Sequence, residues 1–180
     1  MEIAAFDAAG RRLGPGEQGE LCTRGPAVFA GYHNNPQATA EALKDGWFHT
    51  GDLGHVDAEG FVYITGRASD MYISGGSNIY PREIEEALLT HPAVEEAAVL
   101  GVPDPKWGEA GVAVVVRAPG SAPSEADLLA ALGGRIARYK IPRRVFFWDQ
   151  VPKSGYGKVP KNVIRQQLFE RGDLVEGKSP

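Results

Sequence analysis

Residues 49–70 read HTGDLGHVDAEGFVYITGRASD. LGHV and FVYIT have strand composition, and DAEG between them has turn chemistry, with a glycine able to take positive φ. The stretch predicts a β-hairpin. With the turn centred on Ala58 and Glu59, antiparallel pairing carries Asp52 and Arg67 to the same open end, because they lie at similar distances on either side. An acid and a guanidinium meeting there can bind a sugar's hydroxyls and a phosphate, or pair with each other as a structural ion pair.

Upstream, MEIAAFD and ELCTRG predict two short strands around the glycine- and proline-rich AAGRRLGPGEQG. NNPQATAEALKDG carries helix punctuation: Asn35 at the N-cap, Pro36 at the first helical position and Gly46 just past the end. Downstream of Arg67 the texture changes. A short strand and the glycine pair of ISGGSN lead into a helix that starts near Pro81, with Glu83, Glu85 and Glu86 early and Ile84, Ala87 and Leu88 as its apolar stripe. EEAAVLGV and GVAVVVRA are strand-forming runs split by the turn-rich PDPKWGEA. APSEADLLAALGGRIARY predicts a helix capped by Ser124, with Leu128, Leu129, Leu132 and Ile136 inward. RRVFFWD predicts a strand, and KNVIRQQLFERG a closing helix.

The expected fold class is α+β. A β-rich segment, residues 1–68, is the edge of a larger domain, and residues 69–180 form a small α/β domain whose short sheet is flanked by helices. The boundary lies at 67–70.

Length and composition fit an ordinary globular protein: 180 residues, 43% hydrophobic, net charge −4. That charge disfavours a nucleic-acid surface. Cys22 is the single cysteine and cannot form an internal disulfide, and no apolar run nears the ~18 residues of a membrane helix. MEIAAFDAAG lacks the basic flank and apolar stretch of a signal peptide, so a cytoplasmic location is expected.

His33, His49, His55 and His91 have no His or Cys partner at metal-ligand spacing, so no metal held by protein ligands is expected. SGGSN has the wrong spacing for a nucleophile elbow. SGYGKVP is not a phosphate-binding P-loop, because Pro152 stands where a glycine is required and Val159 where Ser or Thr is required. What remains is Lys158, a compact cation on a small-residue loop, suited to an anion or idle in solvent. Trp107 either stacks on a ring or caps the core beside two prolines.

In order, GYHNNPQATAEAL, DGWFHTGDLG, YITGRASDMYISGGSNIYPREIE, HPAVEEAAVLGVPDPKWGE and PKSGYGKVPKN resemble the C-terminal part of the adenylate-forming superfamily. The members they look most like are the acyl-CoA synthetases, and the resemblance runs from about Gly16 to Leu168. It implies an acid-thiol ligase: a carboxylic acid, fatty or aryl, reacts with MgATP to an acyl-adenylate, then CoA takes the acyl group and AMP leaves. A small C-terminal domain rotates between the two steps. The resemblance assigns Asp52 to the ribose hydroxyls, Arg67 to the same nucleotide and Ile64 to packing near the nucleoside. It assigns Lys158 to the bridge between carboxylate and α-phosphate, Gly75 and Gly76 to the passage of the pantetheine arm, and Trp107, Tyr139, Lys140 and Arg143 to CoA. Ser69 stands at the pivot, where relatives commonly have Asp or Lys, with Asp70 next.

The family's phosphate loop, magnesium acid, adenine site and acyl pocket have no counterpart here. The chain is therefore expected to be a fragment, inactive without the missing N-terminal domain, with Mg2+ entering through ATP. Two other readings stand beside it: an adenylation domain that loads a carrier protein, and a non-catalytic assembly module, such as a homodimer covering surface left bare.

Overall fold

The computed structural model describes residues 1–155, 158–175 and 177–180, and divides into two compact units, Met1–Ser69 and Asp70–Pro180. The secondary structure is α+β, as the sequence predicts.

The first unit is an antiparallel sheet. Strands β1 (Glu2–Phe6), β2 (Gly19–Arg24) and β4 (Trp47–Val56) lie side by side, and β4 also pairs with β3 (Leu43–Lys44) and β5 (Val62–Arg67). Ala4, Cys22 and Trp47 form its small core, with Phe6 meeting Trp47 edge to face at 5.1 Å. Helix α1 (Pro36–Ala42) begins as the punctuation requires: Asn35 caps it, its side-chain oxygen accepting the Ala38 N–H at 3.0 Å. It ends earlier than expected. Asp45 and Gly46, at φ 51° and 79°, form the turn between β3 and β4, so Gly46 serves a hairpin and not a helix end.

The second unit is a mixed five-stranded sheet with helices on both faces. β6 (Tyr72–Ser74) and β7 (Ser77–Ile79) form a hairpin around Gly75 and Gly76, whose φ values of 56° and 81° suit a two-residue turn. After α2 (Pro81–Leu89), β8 (Val94–Asp104) and β9 (Gly108–Arg117) form a long antiparallel hairpin. The strands continue well into the segment expected to be a turn, which shrinks to Pro105–Trp107. Helix α3 (Glu125–Leu132) stops at Gly133, and a one-turn 3-10 helix at Arg138–Lys140 replaces the rest of the expected helix. β10 (Arg144–Phe147) pairs parallel with β9, and α4 (Lys161–Glu170) follows.

The run GVAVVVR is apolar throughout because both faces of β9 are covered. Val112, Val114 and Val116 point toward Ile164 and Leu168 of α4, while Ala113 and Val115 point toward Ile84 and Leu88 of α2 and Leu128 and Leu132 of α3. Each fully buried aliphatic side chain contributes about 1.5–3 kcal/mol.

The outer edge of β8 is closed by side chains. Glu85 of α2 accepts the Val99 N–H at 2.8 Å, Lys161 of α4 donates to the Val99 carbonyl at 2.6 Å and ion-pairs with Glu85 at 2.6 Å, and Arg165 donates to the Gly101 carbonyl at 2.7 Å. A bare edge would be open to pairing with another chain, and this one is occupied.

Candidate functional site

In the first unit the hairpin forms and its open end joins the expected pair, but the register is shifted from that of a turn centred on Ala58 and Glu59: Val56 lies opposite Val62, and a bulge between Leu53 and Gly54 sets Asp52 opposite Arg67. Asp52 pairs with Arg67 across β4 and β5, and the Arg67 Nε donates to Asp52 Oδ1 at 3.1 Å. Both side chains retain solvent exposure, so the pair is available to a ligand. Asp52 leaves a bulge in β4: Glu20 pairs with Leu53 and Cys22 with His49, so residues 50–52 arch away from β2. Gly51 takes φ 73° there. The arch is held by Thr50, whose hydroxyl donates to the Leu21 carbonyl at 2.6 Å and accepts the Asp52 N–H at 3.0 Å, and by Glu20 Oε1, which accepts the Gly51 N–H at 3.1 Å. Ile64 lies half exposed on β5. Ser69 and Asp70 fall in a single 3-10 turn, Ala68–Asp70.

In the second unit a cleft of about 700 Å³ gathers Gly75, Trp107, Gly111, Arg138, Tyr139 and Arg143. Four residues singled out in the sequence, Gly75, Trp107, Tyr139 and Arg143, thus come from the β6–β7 turn, the β8–β9 turn and the 3-10 segment before β10 to one wall. Trp107 is 37% exposed and lies between two cations, with Lys106 Nζ 4.9 Å and the Arg143 guanidinium carbon 5.5 Å from its ring centroid. Gly75 donates its N–H to the Trp107 carbonyl at 2.9 Å, and a Cβ at Gly75 would come within 2.8 Å of the indole Cε3. Only a residue without a side chain permits that contact.

Asp104 sets the indole. Its Oδ1 accepts the Lys106 and Trp107 N–H groups, each at 2.8 Å, and its carboxylate is buried. A hydrogen bond from the Ser179 hydroxyl, with those two N–H donors and the charge of Arg143, holds the Asp104 pKa below the usual carboxylate value despite burial. An Asp two and three residues before the N–H groups it accepts is the signature of an Asx-type turn, and DPKW carries it in sequence.

Two expected residues lie elsewhere. Gly76 and Lys140 do not line the cleft; the Lys140 ammonium is held by both carboxylate oxygens of Glu83 on α2, at 2.9 and 2.7 Å. Lys140 thereby ties the 3-10 segment to α2. Arg138, Lys106 and Asp104 were not singled out by sequence, since an isolated charge on a turn looks like solvent-facing polarity until the fold brings a partner, and Glu83 was read only as an acidic residue favourable to its helix dipole.

Lys158 is exposed, and its loop is closed at the base. Ser154 donates its N–H to the Lys158 carbonyl at 2.8 Å, and Ser154 Oγ accepts the Lys158 N–H at 3.2 Å. Val151 and Val159 on either side pack against the α4 face core. Tyr156 and Gly157 lie outside the described residues.

A further cluster is one that ligand spacing along the chain does not reveal. Glu20, Cys22 and His49 bring a carboxylate, a thiol and an imidazole together with donor atoms within 4.8 Å of one another. Linear spacing missed it because the donors sit on neighbouring strands. Burial and the nearby Glu20 charge push the Cys22 thiol up to about 11, so it is protonated at neutral pH and is no nucleophile.

Residues 83–158 match the profile of the AMP-binding enzyme C-terminal domain. A feruloyl-CoA synthase from an Amycolatopsis species is 50% identical over 167 residues, covering 93% of this chain and 34% of that protein. ATP-bound MatB from Rhodopseudomonas palustris superposes with a TM-score of 0.87 at 41% identity, covering 94% of this chain and 34% of that one. The o-succinylbenzoate CoA synthetase MenE from Bacillus subtilis, in complex with its acyl-adenylate intermediate, superposes with a TM-score of 0.85 at 41% identity, covering 91% and 33%. The chain spans about a third of the length of these relatives. With the arched TGD strand, the TGR partner and the AMP-binding C-terminal domain all in place, the chain belongs to the adenylate-forming superfamily, as the counterpart of the C-terminal third of its acyl-CoA ligases.

Proposed function

We propose that this chain is the C-terminal part of an ATP-dependent carboxylic acid:CoA ligase, AMP-forming, acting on a fatty or aryl acid. The observation that carries the reading is the cleft of the second unit, where Trp107 offers an indole face and Arg138, Arg143 and Lys106 gather positive charge in a chain whose net charge is −4. An aromatic face flanked by cations suits the phosphorylated adenosine end of CoA. A carrier protein's pantetheine arm lacks that nucleotide, so the cleft favours CoA as acceptor. The reading is further supported by relatives named as CoA ligases and by solved neighbours holding ATP or an acyl-adenylate.

Residues 1–68 then belong to the large nucleotide-binding domain and 69–180 to the mobile domain, with the hinge at 67–70 and Ser69 and Asp70 in its single 3-10 turn. Asp52 binds the ribose hydroxyls and Arg67 the nucleotide, each fixed by the other until the ligand arrives, while Ile64 packs beside the nucleoside. Lys158 neutralises the carboxylate and α-phosphate as they meet, an electrostatic task that a positioned ammonium performs best where water is excluded. Gly75, packed against the indole of Trp107, borders the cleft along which the pantetheine arm passes. Mg2+ enters with ATP.

The test is an assay of the full-length protein with MgATP, CoA and a panel of fatty and aryl acids, scoring AMP and thioester. Arg143→Ala is expected to raise KM for CoA about tenfold or more and to leave acyl-adenylate formation unchanged. No thioester from any acid, or an Arg143→Ala effect confined to adenylation, would count against the reading.

A further inference from the structure

The ligase reading leaves one cluster unused. Glu20 and Cys22 stand two apart on β2 and so share a face, and His49 is the register partner of Cys22 on β4. The bulge at 50–52 draws His49 toward both, with its Nδ1 3.4 Å from Cys22 Sγ and 2.8 Å from Glu20 Oε2.

Both contacts fall on the same ring nitrogen. A thiol relay needs the thiol on one nitrogen and the carboxylate on the other, so the trio is not a Cys-His-Glu nucleophile. One nitrogen also serves two partners poorly. When Nδ1 carries a proton it donates to Glu20 and has no lone pair for the thiol, which keeps only the Glu20 carbonyl at 3.9 Å. When bare, it faces a carboxylate oxygen across 2.8 Å, lone pair to lone pair. A cation at the centre of the three satisfies every donor at once.

The dimensions suit one. An ion about 2.3 Å from sulfur and about 2.0 Å from nitrogen, at a tetrahedral angle, sets those atoms about 3.5 Å apart, and they stand at 3.4 Å here. The Glu20 oxygen, 2.8 Å from that nitrogen, must withdraw by about 0.5 Å to stand as a third tetrahedral ligand. Thiol, imidazole and carboxylate together select a borderline-soft ion, whereas calcium and magnesium require oxygen alone.

We propose that Glu20, Cys22 and His49 form a three-ligand site for a divalent cation of the zinc class, cross-linking β2 and β4 beneath the arch that carries Asp52. Binding forms bonds from the thiolate sulfur, the imidazole nitrogen and a carboxylate oxygen, and releases the thiol proton to solvent. Glu20 remains tied to the arch through its other oxygen, which holds the Gly51 N–H. The ion thus anchors the arch from below.

Cobalt(II), which shows thiolate coordination by absorbance, is titrated into the metal-free 180-residue chain. One equivalent is expected to bind with a near-ultraviolet thiolate-to-cobalt band that zinc then abolishes. Cys22→Ser is expected to lose the band, and Glu20→Gln and His49→Gln to weaken cobalt binding by about tenfold or more. No band at millimolar cobalt, a band that survives Cys22→Ser, or unchanged affinity in both other variants would overturn the site. Should Cys22→Ser fail to fold, the Glu20→Gln and His49→Gln titrations decide, because both leave the core thiol intact. The readout uses no acid, nucleotide or CoA, so its outcome is independent of the ligase reading.

Discussion

At Gly111 the absence of a side chain is a packing requirement. It pairs with Gly101 across β8 and β9, and the Tyr72 ring lies over both: a Cβ at Gly111 would stand 2.1 Å from the Tyr72 hydroxyl. That hydroxyl is buried and has no hydrogen-bond partner among the described residues, and burial with the nearby Glu109 charge raises its pKa. Gly111→Ala should therefore destabilise the second unit by about 3 kcal/mol or more in denaturant unfolding, since backbone or ring must move. Gly75→Ala, which adds a positive φ to a contact with Trp107, should cost about 1–3 kcal/mol and raise KM for CoA in the full-length protein. The acidic side chains give a pH dependence with a definite sign. Asp104, held low chiefly by Ser179, and Asp127, held low by the Ser124 hydroxyl and backbone N–H, both ionise more readily folded than unfolded. Their contribution is thus present above the unfolded carboxylate value of about 3.9 and is lost as pH falls through the lower folded values. Acid unfolding monitored by circular dichroism should show a shallower loss in Asp127→Asn than in the parent. Asp52 and Arg67 were legible as a converging pair because a short hairpin brings its two ends together, whatever a bulge does to the exact register; what Asp104 and Glu83 do was not, because Ser179 and Arg143 reach Asp104, and Lys140 reaches Glu83, from segments distant in the chain.

The elements obey local rules wherever one rule acts alone. Ser124 and Asp127 form a complete capping box on α3, with the hydroxyl accepting the Asp127 N–H at 3.2 Å and the carboxylate accepting the Ser124 N–H at 2.9 Å. Ser124→Ala should lower stability by about 1 kcal/mol in urea unfolding. The lock on the β8 edge is costlier to open: Glu85→Ala leaves the Val99 N–H without its acceptor and the partly buried Lys161 ammonium without its counter-charge, though still bonded to the Val99 carbonyl, and should cost about 2 kcal/mol or more by the same measurement. Elements were misread where two rules compete. The glycine pair at 133 and 134 can be tolerated in a helix or can end one, and here it ends α3. After the pair at 75 and 76 the expected direct entry into a helix gives way to a second strand, Ser77–Ile79, because two glycines at positive φ close a hairpin. The β8–β9 turn is shorter than PDPKWGEA suggests because Asp104 tightens it from within, an effect of side-chain hydrogen bonding to which strand propensity is blind.

At the scale of the molecule, the α+β order follows from period and punctuation, while the site depends on groups that no single stretch contains. The TGD and TGR pair lies in the first unit, and the Trp107 cleft and Lys158 in the second. In the proposed ligase, Lys158 serves the adenylation step and the cleft serves the thiol step. For the 180-residue chain alone, ATP–pyrophosphate exchange should be undetectable with any acid, because the chain spans only a third of its relatives. The most direct test separates the two half-reactions in the full-length protein carrying Lys158→Ala. The account predicts adenylate formation, measured by ATP–pyrophosphate exchange, reduced by about a hundredfold or more, with thioester formation from preformed acyl-adenylate and CoA within a few fold of the parent. An equal loss in both half-reactions, or none in the first, would contradict it.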